Sequence, residues 1–260
     1  MSIVRLYDIL NDRESGSITI ALNALNLLKE TPEQSHHKNL LIFNLMMTSR
    51  KEMSILVNLG EIGINMINKG YSLRYVCNYL IDELRESLQK SLINASLITA
   101  HYRNFLTISN SEQLLSFFSN LKRKIHVFVF KTRMQQEGTQ LISSLLKMGI
   151  NCVSINHKQL NKILEEIDCL VVGSDSIMPS VFSNRIGTMF LVTRMVSLKK
   201  PSYVLTIKWK VSNNPSIFLF DSKNFDLVPN RLITCFSSDV GNIKGKSVYD
   251  FLVRKGSLLH

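Results

Sequence analysis

Cys169-Leu170-Val171-Val172-Gly173-Ser174-Asp175-Ser176-Ile177 is the stretch that decides the fold. Its apolar run is too short for a buried helix and reads as a strand covered on both faces. The run stops at small residues, so Asp175 is expected at the strand's carboxyl end. Shortly after it, Asn184-Arg185-Ile186-Gly187-Thr188 opens a second apolar, helix-like segment. Ligands of open α/β sheets bind at the carboxyl ends of the strands. Backbone N–H groups and a hydroxyl at a helix start suit an anion. A carboxylate and a phosphate cradle are therefore expected to face one crevice.

The segments on either side carry the same alternation. Residues 125–130 and 151–155 read as strands before the central run, and 202–207 as a strand after it. Helical periods fill 139–147, 157–166 and 187–198, with Gly149 ending the first. Strand and helix in turn imply right-handed crossovers and a parallel, Rossmann-like sheet. From residue 217 the pattern is mixed: a short strand, a turn at Val228-Pro229-Asn230 and a last helix over 248–254.

Upstream the period is helical throughout. One stripe runs through Ile18, Ala21, Ala24, Leu25 and Leu28. Thr31 with Pro32 reads as the cap and first residue of a second helix. A third spans 52–68 and stops at Lys69-Gly70, and Ser72 caps a fourth. The class is thus α/β, with a helical domain over 1–115 and a Rossmann-like α/β domain over 122–260.

Composition excludes several functions. In 260 residues no apolar run reaches the roughly 18 needed to span a bilayer. The N-terminus lacks the apolar core of a signal peptide, so a soluble, cytoplasmic protein is expected. Cys77, Cys152, Cys169 and Cys235 form no CxxC pair, and the histidines show no HExxH spacing, so neither metal nor cofactor is expected. The formal charge of +11 suits RNA, an acidic protein or a phosphorylated metabolite. Its tightest clusters, Lys122-Arg123-Lys124 and Lys199-Lys200, precede strands and read more simply as charged flanks. Direct nucleic-acid binding is not indicated.

Individual residues leave alternatives open. Arg133, in the loop after the 125–130 strand, suits a phosphate fork or a solvated loop position. Asp175 suits a general base, a partner for a sugar hydroxyl or a turn carboxylate. Asn184 and Thr188 suit a ligand or a helix cap.

Four segments, in order, resemble the family of translation initiation factor 2B regulatory subunits (alpha, beta and delta), which also includes methylthioribose-1-phosphate and ribose-1,5-bisphosphate isomerases. Thr132-Arg133-Met134-Gln135-Gln136-Glu137-Gly138 is similar to S/T-R-P-x-x-E/Q-G. Val171-Val172-Gly173-Ser174-Asp175-Ser176-Ile177 is similar to V-x-V-G-A-D-x-I. Asn184-Arg185-Ile186-Gly187-Thr188 is similar to N-K-I-G-T, and Phe225-Asp226-Leu227-Val228-Pro229-Asn230-Arg231-Leu232-Ile233-Thr234 to F-D-x-V-P-P-x-L-I-T. Upstream, Ile98-Thr99-Ala100-His101-Tyr102 looks like I-L-T-H-x-Y/N, and residues 11–17 look like the entry to the family's first helices, read here as abbreviated.

The resemblance implies ligand contacts from Arg133, Gly138, Asp175, Asn184, Arg185, Gly187 and Thr188. In the isomerases a cysteine and the aspartate of G-A-D share the proton transfer. The aspartate maps to Asp175, and the cysteine, aligned through T-H-C, falls on His101. The arginine of an early R-G-A segment falls on Ser15, the T-R-P proline on Met134 and the N-K lysine on Arg185. These departures point away from catalysis. What the resemblance then implies is a non-catalytic regulatory protein, a homodimer or higher oligomer, that binds the alpha subunit of translation initiation factor 2 and a phosphorylated small molecule such as a sugar phosphate or nucleotide. The alternative is an aldose–ketose isomerase using Asp175 and His101 on ribose-1,5-bisphosphate or methylthioribose-1-phosphate.

Overall fold

A computed structural model describes residues 3–13, 15–108, 111–121, 123–131, 137–212 and 223–255. The chain opens with helices α1 (Ile3–Leu10), α2 (Ser17–Lys29), α3 (His36–Ser49), α4 (Ser54–Asn68) and α5 (Leu73–Ile98). Their apolar stripes meet in one core built around Leu25, Phe43, Leu59, Leu80 and Leu84. Each such side chain withdrawn from water contributes about 1.5–3 kcal/mol. Ser72 caps α5 by accepting from the Tyr75 N–H, and Gly70, at φ +89°, turns the chain out of α4. The cap expected at Thr31 is displaced. Thr31 Oγ1 donates back to Leu27 O at 2.9 Å, serving the end of α2, and α3 starts later behind Ser35.

The α/β half comprises β1 (Asn104–Ile108), α6 (Glu112–Asn120), β2 (His126–Phe130), α7 (Glu137–Lys147), β3 (Asn151–Ile155), α8 (His157–Ile163), β4 (Cys169–Val172), β5 (Ser176–Ile177), β6 (Val181–Arg185), α9 (Thr188–Ser197), β7 (Ser202–Leu205), β8 (Phe225–Pro229), β9 (Cys235–Ser238), β10 (Gly241–Ile243) and α10 (Val248–Lys255). Among the described residues, the main sheet runs β10-β9-β7-β4-β1-β2-β3, parallel except for β10. Strand order reverses between β1 and β4, so the switch point where wound sheets bind ligands lies there.

β1 was not expected. It lies within the 1–115 stretch read as helical, yet it is an interior strand of the sheet, pairing with both β2 and β4. Its alternation buries Leu106 and Ile108 on one face with α8, α9 and α10, and Phe105 on the other with α6 and α7. A second, antiparallel sheet, β5-β6-β8, forms an arm beside the carboxyl ends of the main strands.

Helices and sheet are stitched together beside that arm. Ser54 Oγ and Ser176 Oγ lie 2.6 Å apart, and Asn58 Nδ2 donates to Trp209 O and Val211 O at 2.8 and 2.9 Å. Ile207, Trp209 and Phe225 complete the helical core. Among the described residues no helix is long and apolar enough to cross a membrane.

Candidate ligand crevice

The crevice opens at the switch point. β4 delivers Gly173, Ser174 and Asp175 to its floor. The start of α6 brings Ser111 and Glu112, the arm brings Asn184 and Arg185, the start of α2 brings Gly16, Ser17 and Ile18, and the segment after β7 brings Lys210. The space between these residues, with the part open to solvent included, is about 380 Å³.

Asp175 is 8% exposed. Its backbone N–H donates to Ser183 O at 2.9 Å, which ties it to the arm. Among the described residues its carboxylate accepts no hydrogen bond, which leaves both oxygens for a ligand. Lys210 is the residue that sequence reasoning missed. It is 2% exposed and donates from Nζ to Ser174 O at 2.5 Å. Burial pulls its pKa down to about 8, while the nearby Asp175 charge works in the other direction. Asn58 and a bridge from Ile177 to Val211 clamp the backbone on both sides of Lys210. The signal available was its place after an apolar strand, the same logic that located Asp175.

Two helices point their amino ends at this crevice. Neither Gly16 before α2 nor Ser111 before α6 makes a side-chain cap bond. Among the described residues no side chain caps either start, and each carries about half a positive charge. With Lys210 they form a cationic seat. The start of α9 does not contribute in the way expected. Gly187 N and Met189 N both donate to Asp226 Oδ2, at 2.8 and 2.9 Å. Thr188 Oγ1 donates to Arg185 O at 2.6 Å and accepts from Asn184 Nδ2 at 3.0 Å. A carboxylate of the chain itself thus fills the cradle read at Gly187 and Thr188.

Arg185 lines the crevice, lies over the Phe225 ring at 5.1 Å and donates to Arg13 O at 3.2 Å. Gly138 sits in the first turn of α7. Arg133 lies outside the described residues.

His101 is not brought to the site. Residues 98–102 are the end of α5 and the turn after it, not a strand. His101 therefore stands exposed at the amino end of β1, its ring 3.8 Å from that of Tyr102, with the length of β1 between it and the crevice. A T-H-C segment placed instead at the carboxyl end of β1 reads Thr107-Ile108-Ser109, with Ser109 outside the described residues. The thiols do not replace His101. Cys77 lies in α5, Cys152 in β3, Cys169 at the start of β4 and Cys235 at the start of β9. Burial pushes all four upward in pKa, Cys77 to about 12. Among the described residues no His, Cys, Asp or Glu side chains are grouped to hold a metal ion.

The fold is shared with solved structures. Translation initiation factor eIF-2B of Pyrococcus horikoshii OT3 superposes with a TM-score of 0.76 at 16% identity, over 93% of this chain and 96% of its own. A subunit of the tetrameric eIF2B beta–delta complex of C. thermophilum gives 0.74 at 14%, over 98% and 94%. The 5-methylthioribose 1-phosphate isomerase of P. horikoshii OT3 gives 0.68 at 17%, over 96% and 87%. A search of curated protein sequences finds no match. The profile of the initiation factor 2 subunit family matches residues 13–221, most of the sequence, and the chain belongs to that family.

Proposed function

We propose that this protein is a non-catalytic regulatory member of its family. It acts in the cytoplasm as a homodimer or larger assembly, binds translation initiation factor 2 through that factor's alpha subunit, and holds a phosphorylated small molecule in the crevice. One observation carries this reading: the crevice holds a buried acid, a buried lysine and two helix starts, while His101 and all four thiols lie elsewhere. An anion can be gripped there, and His101, the acid/base partner expected for Asp175, stands at the other end of β1; such a group is typically worth 10²–10⁴ in rate.

Calorimetry with purified initiation factor 2 tests the partner. Saturable binding at micromolar concentration is expected, and its absence removes the regulatory reading. A thermal-shift series with sugar phosphates and nucleotides tests the crevice, because ligand at 100 times Kd adds about 2.7 kcal/mol of stability.

One observation favours a second reading. A lysine with a pKa of about 8 beside Asp175 has the range of a general acid or base. An aldose–ketose isomerase would then use Asp175 and Lys210, in place of Asp175 and His101. Turnover of ribose-1,5-bisphosphate or methylthioribose-1-phosphate that disappears in Asp175→Asn supports it, and no turnover removes it.

A further inference from the structure

We infer that the outer face of α5 docks a second copy of this chain, the two helices lying antiparallel about a two-fold axis at Glu86. The inference rests on the reading of the protein as a homodimer or larger assembly and gives that assembly a contact.

α5 spans both halves of the molecule. Val76, Leu80 and Leu84 face the helical core, and Leu92 and Ala95 face the core shared with β1 and α6. The opposite face carries Tyr71, Tyr75, Tyr79, Ile93 and Leu97, which are 47%, 52%, 43%, 61% and 68% exposed. Scattered exposed apolar residues are ordinary. These are not scattered. From Tyr75 onward they recur, with Asp82, Glu86 and Lys90 among them, at steps of three or four residues, so they form one stripe along a helix about 39 Å long. The Tyr71 and Tyr75 rings stack at 5.0 Å, which orders that end of the stripe before a partner arrives.

The stripe complements itself in one direction only. Its apolar ends flank a charged middle, and Glu86 stands halfway between Tyr75 and Leu97 and halfway between Tyr79 and Ile93. A second α5 laid antiparallel therefore sets Tyr75 against Leu97 and Tyr79 against Ile93. The same register sets Asp82 against Lys90, and symmetry repeats each contact. Asp82 is exposed and makes no ion pair among the described residues. The two copies of Glu86 meet at the axis, where Lys90 of the same helix holds each of them at 2.6 Å. A parallel pairing would put Asp82 on Asp82 and Lys90 on Lys90, and like charges are disfavoured. A chain of formal charge +11 repels its copy in most orientations, so a face whose charges match in register selects the contact. One helix face is a small interface, which makes the pairing reversible and concentration-dependent.

Sedimentation of the full chain across the micromolar range is expected to show reversible self-association. Leu97→Asp, an exposed change, is expected to weaken it at least about tenfold. Asp82→Lys is expected to do the same, and Asp82→Lys with Lys90→Asp in one chain to restore it to within about threefold. Under oxidation, Glu86→Cys is expected to give a disulfide-linked dimer. Tyr75→Cys, about 33 Å from its copy in this register, is expected to give none, with the wild-type chain as control for the native thiols. All these positions are exposed, and unchanged melting temperatures confirm that the variants fold. Association that survives Leu97→Asp, a double exchange that fails to restore it, or linkage no better through Glu86→Cys than through Tyr75→Cys overturns the inference and leaves the assembly reading standing. A wild-type chain that stays monomeric overturns both. If that monomer binds initiation factor 2 and Leu97→Asp weakens the binding, the face belongs to that partner instead.

Discussion

Asp226 closes the start of the helix that follows Gly187. One carboxylate oxygen, Oδ2, takes the N–H groups of Gly187 and Met189 at 2.8 and 2.9 Å. The two residues belong to different family segments, Phe225-Asp226 on β8 and Asn184–Thr188 on β6 and α9. The third and fourth motifs are thus one structural unit, a strand pair whose acid caps the next helix. Helix caps of this kind are worth about 0.5–2 kcal/mol. Asp226→Ala is expected to lower stability by that amount in urea unfolding, and Asp226→Asn, which keeps an acceptor, by less. Equal loss in both variants would mean that charge, not the acceptor geometry, holds the helix start.

Lys210 makes both stability and ligand affinity depend on pH. Its pKa is about 8 in the folded protein against an ordinary 10.5. Between those values the unfolded chain holds the extra proton, so its contribution to stability rises with pH over that window, by up to about 3 kcal/mol. Below pH 8 both states are protonated and the slope vanishes. The buried thiols act in the opposite sense above pH 9, because burial raises their pKa values. The difference between wild type and Lys210→Met isolates the lysine: it should grow in the wild type's favour from pH 8 upward. A phosphate ligand needs the charged form. Its affinity should fall above pH 8, by as much as about tenfold per unit, although the phosphoryl group, with a second pKa near 6, no longer changes charge there. A flat calorimetric profile from pH 7 to 9.5 would take Lys210 out of the seat.

The parallel sheet was legible because its strands are continuous apolar runs, as buried parallel strands are. Residues 126–130, 151–155 and 169–172 fall where those runs fall. β1 escaped because Asn104-Phe105-Leu106-Thr107-Ile108 follows a 26-residue helix with only a few residues between, and its apolar content reads as more of the same period. β6 escaped for the opposite reason. Ser183 and Asn184 look like loop residues, yet they are 2% and 3% exposed, because the arm packs them against the sheet. The site was legible only where strand ends could be read. Asp175 qualified, and Lys210, five residues beyond β7, carried a weaker form of the same signal, but its burial is a tertiary property. The Asp226 cap joins groups about 40 residues apart, and no local pattern announces it. His101 was drawn in by residue identity alone, without a strand before it to place it at the sheet's carboxyl end.

His101 supplies the control for that lesson. It is exposed at the amino end of β1, so His101→Ala is expected to leave ligand affinity within about twofold and stability within about 0.5 kcal/mol. Asp175→Asn, in the crevice, is expected to weaken binding of a sugar monophosphate at least about tenfold, because the amide presents a donor where the ligand also donates. Calorimetry on the two variants checks the pair. A matched loss in both would place His101 at the ligand after all.

Gly245 tests whether the arm positions the crevice. A Cβ at this residue would stand 1.9 Å from Asn230 O and 2.7 Å from Ile233 O, both backbone atoms that cannot swing aside. Gly245→Ala must therefore move the Asn230 turn, at a cost of about 1–3 kcal/mol or more. Asn230 is bonded to the arm through its N–H to Ser180 O and its Nδ2 to Met178 O, each at 2.9 Å. The displacement passes along β5 and β6 to Ser183, which holds Asp175, and to Asn184 and Arg185. Gly63 is the comparison. A Cβ there would strike the Phe43 ring at 2.2 Å, in the helical core. Both alanine variants should melt at lower temperature, but only Gly245→Ala should also weaken the ligand. If the two lose affinity alike, the effect belongs to global stability and the arm is no more than a wall.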